Sequence, residues 1–337
     1  MNVLKEYLLY SLCICAIFLG CNNEDEEAHP SYADQNWFSV PNKSGAFNQL
    51  AYQIYTETGI ALFVNDTLGS EYYATDAAGN PLLRTETFNI EYTLFGNPES
   101  GTGDIAKDRY IVLSADSASM IKAATLIRDR VIPYLPKFGE YSPKCYLLVD
   151  SLNDNYSAPY GWGIIKFRLA NATAYGALKG VVVGQLCDIL NMSEEECDLW
   201  VGKILAAKIS KWIMDTKAEE IESWYDITDE GLTNSSYYEK TYEEGGYFIG
   251  YEYDMQEKAG MFGWYAETIQ ESNNKKTRAS YTQQADIIEF IARVFAYQNN
   301  EQEFLTQYEA YDKLIRKFKL MQEFVREYEQ EFQISKK

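Results

Sequence analysis

Apolar positions along this chain keep two different rhythms, and the change falls near residue 170. Residues 48–64 carry a mixed apolar periodicity that runs into Thr58-Gly59-Ile60, the pattern of a helix that stops at glycine and leads into a strand. Phe88 to Leu94 alternates with period two, as a half-buried strand does, and Tyr110 to Leu113, Lys144 to Val149 and Gly163 to Leu169 read as further short strands. The turn residues of 76–81 and 98–103 predict loops. Ser117 can cap a helix with Ile121, Leu126 and Val131 on its apolar face, ending near Pro133 and Pro136. The first half therefore predicts a small sheet covered on one face by helices.

Beyond residue 172 the pattern turns helical. Ala174, Leu178, Val181, Gln185, Leu186 and Ile189 predict a helix over 173–190. Ser193 with Glu196 three residues later is a capping box, opening a helix through Trp212 with Val201, Ile204, Leu205, Ile209 and Trp212 on its face. Residues 220–280, rich in Tyr, Gly and acid, read as a long, partly ordered surface excursion. A helix follows over Gln284 to Tyr297, then one very long helix from Glu301 to Phe332, with Phe304, Tyr308, Tyr311, Ile315, Phe318, Phe324 and Val325 as its buried stripe. The expectation is an α+β protein: an α/β lobe over 38–170 with a small N-terminal sheet and covering helices, then a mainly helical lobe over 171–337.

The N-terminus has a pattern of its own. Lys5 and the apolar run Leu8 to Leu19 fit a secretory signal over residues 1–20, and the run is too short for a comfortable membrane span. It closes on Gly20-Cys21, followed by Asn22-Asn23-Glu24-Asp25-Glu26-Glu27 and an acidic tether to about residue 37. A small residue directly before the cysteine resembles the lipobox of bacterial lipoproteins, which implies lipidation of Cys21. The acidic run resembles the surface-export tag of Bacteroidetes lipoproteins. Together they imply an outer-membrane lipoprotein exposed on the cell surface; the other reading is an ordinary membrane anchor with a chance cysteine.

Composition narrows the chemistry. The net charge of −20 repels phosphate backbones, so a nucleic-acid partner is not expected. Of six cysteines, Cys13 and Cys15 fall in the signal and Cys21 at its end. The remaining Cys145, Cys187 and Cys197 read as buried free thiols, with a Cys187–Cys197 bridge as the alternative. The single histidine, His29, lies in the tether, so the folded body has no imidazole for a Ser-His-Asp or Cys-His relay or for a histidine zinc site. No P-loop, GxSxG, EF-hand or dinucleotide fingerprint occurs.

Several segments taken in order carry a resemblance: Val131 to Lys137, Tyr146 to Leu152, Gly184-Gln185-Leu186-Cys187-Asp188, Asp286-Ile287-Ile288-Glu289-Phe290-Ile291, Tyr311 to Lys317 and Phe324 to Tyr328. Over most of 48–333 the chain resembles a family of zinc metallopeptidase lipoproteins of Bacteroidetes whose genes accompany SusC/SusD-type import systems. The resemblance implies a zincin-like helical lobe, zinc as the family cofactor, and a place beside an outer-membrane importer. Family members carry HExxH on one helix, where i and i+4 histidines share a face and the glutamate activates the metal-bound water, and a glutamate on a later helix completes the site. Here Gly184 would stand at the first histidine, Gln185 at the glutamate, Asp188 at the second histidine and Glu289 at the third ligand. With those ligands lost, the resemblance implies a degenerate, non-catalytic member without zinc. Two other readings stand beside it: a hydrolase with a carboxylate-only metal site at Asp188 and Glu289, and a glycan- or peptide-binding protein using aromatic residues such as Tyr247, Tyr251, Trp162 and Trp264.

Overall fold

A computed structural model describes residues 36–88 and 110–334, apart from 161–162, 170, 178–179, 244–253 and 270–273. The lipidation candidate Cys21, the strand expected over 88–94, the loop over 98–103, Trp162, Tyr247 and Tyr251 lie outside the described residues, Phe88 excepted. The chain is a mixed α+β protein whose contacts divide it into two units.

The smaller unit comprises residues 69–85 with the chain up to Trp37, and its described part is a two-stranded hairpin. Strands β2 (Thr67–Thr75) and β3 (Pro81–Thr87) flank the expected turn. Asp76 fastens that turn by accepting from the Ala78 and Asn80 amides and the Asn80 side chain, and Gly79 supplies its positive φ of 84°.

The larger unit, residues 38–68 and 86–337, is organised around one long strand. Helix α1 (Ala46–Thr58) ends at Gly59, whose φ of 76° forms the left-handed cap, and the chain turns into β1 (Ala61–Phe63). Strand β5 (Cys145–Tyr160) runs far past the Val149 expected from its apolar core. Its first residues lie between β1 and β8 (Val181–Val183), parallel to both. Farther along it pairs antiparallel with β4 (Tyr110–Leu113) and then with β6 (Gly163–Leu169). Strand β7 (Ala174–Gly176) closes the order β1-β5-β8-β7.

Side chains alternate across this sheet, so Tyr146, Leu148, Val181 and Val183 enter the main core while Cys145, Leu147, Val149 and Val182 enter a second one. The sheet is covered on both faces, not one, which is why its central strands read as continuous apolar runs.

The helix expected over 173–190 does not form. The segment makes β7, β8 and a single 3-10 turn at Ile189–Asn191. Three consecutive valines between Gly180 and Gly184 favour a short buried strand, and close contact demands both glycines: a Cβ at Gly180 would lie 2.3 Å from the Cys145 carbonyl oxygen. Helix α2 (Ser117–Leu126) is capped by Asp116, which accepts from the Ala118 and Ser119 amides, rather than by Ser117. One π turn, Ile127–Val131, extends it before Pro133.

The capping box is formed: Ser193 and Glu196 exchange side-chain bonds with each other's amides and open α3 (Glu194–Thr216). The described residues of 220–280 are built into the fold. They contain α4 (Glu220–Asp229), α5 (Met255–Ala259) and a three-stranded sheet, β10 (Ala266–Ile269), β11 (Lys276–Ala279) and β9 (Thr241–Glu243) in that order, with Trp224, Tyr238 and Tyr242 buried. Helix α6 (Gln283–Ala296) lies against α3, so closely that a Cβ on Gly202 would fall 2.4 Å from the Ala292 oxygen.

The last expected helix is two, α7 (Glu301–Gln307) and α8 (Asp312–Glu331). Phe304 and Phe318 stack with centroids 3.8 Å apart. Fourteen residues along one straight helix would separate them by about 21 Å, so the chain must turn between them. All three described cysteines are free; Cys145 and Cys197 are buried as expected, but Cys187 is exposed and the alternative bridge to Cys197 is not made.

Candidate functional site

Gly184 follows β8 at a point with no space for a side chain: a Cβ there would lie 2.3 Å from the Ala172 carbonyl oxygen. Gln185 takes a left-handed φ of 67° and accepts a hydrogen bond from the Thr173 hydroxyl at 2.8 Å. The Asp188 amide closes the turn onto the Gln185 carbonyl, and its exposed carboxylate accepts from Asn171 Nδ2 at 2.6 Å. Partial desolvation of the exposed Cys187 thiol, seconded by its hydrogen bond to Asp188, pushes its pKa up. These residues occupy a turn, so Gly184 and Asp188 do not share a helix face as an HExxH pair would.

Glu289 sits elsewhere, on α6 facing α3. Its Oε1 lies 2.8 Å from Lys203 Nζ of α3 and its Oε2 lies 2.6 Å from Arg293 Nη1, one helical turn on. Arg293 Nη1 also donates to the Glu289 carbonyl, and the guanidinium carbon lies 3.5 Å from the Phe262 ring centroid. Burial raises the Glu289 carboxyl, but the charges of Lys203 and Arg293 outweigh it and hold it down to about 2. Side-chain exposures of 16% for Glu289, 15% for Arg293 and 31% for Lys203 bring one edge of this cluster to solvent.

Zinc does not fit this donor set. Both Glu289 oxygens already meet cations, which would repel a divalent ion. Gly184 cannot be a ligand, and Asp188 has separate partners on another element.

One turn away along α6, a second charge pair is wholly internal. Lys317 of α8 and Asp286 are both 0% exposed, with Nζ 2.5 Å from Oδ2. Lys317 also donates to Thr228 Oγ1 and to the Gly260 carbonyl, and Tyr238 donates to Asp286 Oδ2 at 2.8 Å. The ammonium lies over the Trp224 ring, 4.1 Å from its centroid. Burial pushes Asp286 up and Lys317 down, and their mutual attraction offsets only part of that. This network ties α4, α6, α8 and the Gly260 turn together and is sealed from solvent, so it serves the fold.

Trp264, offered above as part of a binding platform, is half-buried: its ring meets Tyr242 edge-on at 4.9 Å and lies beneath Arg278. Lys203 and Arg293 were missed from the sequence. A glutamate–arginine pair at i, i+4 on α6 was the available signal for one of them; the partner from α3 could be found only by folding.

Set against models of protein families, curated proteins and solved structures, the chain matches none.

Proposed function

We propose that the chain is a cell-surface lipoprotein, held in the outer membrane through lipid on Cys21, that serves a nutrient importer of the SusC/SusD type as a non-catalytic binding component. In this reading its helical part is a zincin-like lobe that has lost its zinc site. The observation that carries it is the state of Glu289: the one position matching the resembled family's metal ligand in kind is neutralised by Lys203 and Arg293. A carboxylate ionised in this way does not take up a proton near neutral pH, and with both oxygens already on cations it is not free to complete a metal site. The short polar segment matched to HExxH supports the same reading, since it forms a turn around a glycine with no space for a ligand.

Incubating the full chain with zinc and a mixed peptide pool, and reading cleavage by mass spectrometry, tests the proposal. No cleavage is expected. Cleavage by the wild type that Glu289→Ala abolishes, with folding intact, would overturn it in favour of an enzyme.

A further inference from the structure

Two cations share one carboxylate at the α3–α6 edge, which leaves a local excess of positive charge on a chain whose net charge is −20. Arg293 makes both of its hydrogen bonds through Nη1, to the carboxylate and the carbonyl of Glu289. Among the described residues, Nε and Nη2 meet no acceptor. A guanidinium carries five N–H donors in a rigid fork, so one edge of this fork is left without a partner among the described residues. Phe262 stacks on the guanidinium face, and Glu289 holds its Nη1 corner, so the open edge is fixed in direction before any ligand arrives. Lys203 Nζ, the most exposed member, holds the other oxygen of Glu289 and has donors to spare.

We propose that Lys203 and Arg293 form a binding site for a single carboxylate, the free C-terminus of a peptide or the acid group of a uronic sugar, with Phe262 as its apolar wall. The free fork edge matches a carboxylate's two oxygens. The surrounding acidic field selects against polyanions, so phosphate-rich ligands are disfavoured. The inference rests on the reading that this locus binds rather than catalyses, and it names the ligand class of that same locus.

The test is calorimetric titration of the full chain at low ionic strength with N-acetyl-alanyl-alanine, the same peptide as its C-terminal amide, glucuronate, and methyl glucoside. One of the two acids is expected to bind, about tenfold or more tighter than its uncharged counterpart, the worth of a charge-assisted hydrogen bond. Whichever acid binds identifies the source. Lys203→Met should weaken that acid by about tenfold; it keeps the Arg293–Glu289 pair, so the fold is retained. Arg293→Lys, which keeps the charge but loses the fork, should weaken it as well. Neither acid binding, equal binding of acid and uncharged form, or unchanged affinity in Lys203→Met would each overturn the site. These failures are distinct from failure of the non-catalytic reading, which shows as peptide cleavage.

Discussion

A buried charge is tolerated only while its partner is present. Removing one member of the Asp286–Lys317 pair leaves the other in an interior of aromatic rings, and such losses cost about 3–5 kcal/mol. Asp286→Ala should therefore lower stability by that amount in denaturant unfolding, whereas Asp286→Leu combined with Lys317→Met should recover most of it. Recovery would show that the network specifies packing more than it adds stability.

Glu289 behaves differently because its folded value lies below the ordinary carboxylate range. The native state takes up its proton later than the unfolded chain as pH falls. Its contribution is complete above about pH 4.5, is lost toward pH 2, and amounts to at most about 3 kcal/mol. Relative to wild type, Glu289→Gln should lose stability at neutral pH, with the gap closing over that interval in pH-dependent unfolding. At this scale the sequence carried partial signals. Lys317 falls among Leu314, Phe318 and Met321 on the buried stripe of α8, a position where a charge implies a partner, and Asp286 lies one turn before Phe290 on the inner face of α6. Nothing local paired them, because their sequence separation is spanned only by tertiary packing.

Elements depend on contacts between backbones. Gly202→Ala would drive a methyl into the Ala292 carbonyl and wedge α3 from α6, a destabilisation of about 1–3 kcal/mol or more. Thermal unfolding of that variant against wild type measures it. Elements with strong local signals were legible: the capping box of α3, the glycine stop of α1, the strand Tyr110–Leu113 and the helix α6. Those set by competition were not. Val181 of β8 fits a helical spacing, but the strand is held in a sheet by β5. Acidic residues on the outer face of α4 concealed the buried stripe of Ile221, Trp224, Tyr225 and Ile227. The break between α7 and α8 has no proline or glycine to announce it; the Phe304–Phe318 stack imposes it.

For the whole molecule, the α+β class follows from the two rhythms of the chain, while the extent of β5 and the double covering of the sheet depend on how segments pair. The core is continuous across residue 170, since β7, β8 and α3 continue what β5 begins. If Cys21 carries lipid, Cys21→Ser should release the protein from the outer-membrane fraction; normal processing and unchanged fractionation would place the anchor elsewhere. The account turns on Lys203 and Arg293 standing where a metal would be needed beside Glu289. Zinc content of the untagged full chain, measured by mass spectrometry after zinc exposure and dialysis, tests this most directly. No stoichiometric zinc is predicted; one tightly held zinc per chain, lost in Glu289→Gln, would contradict the account.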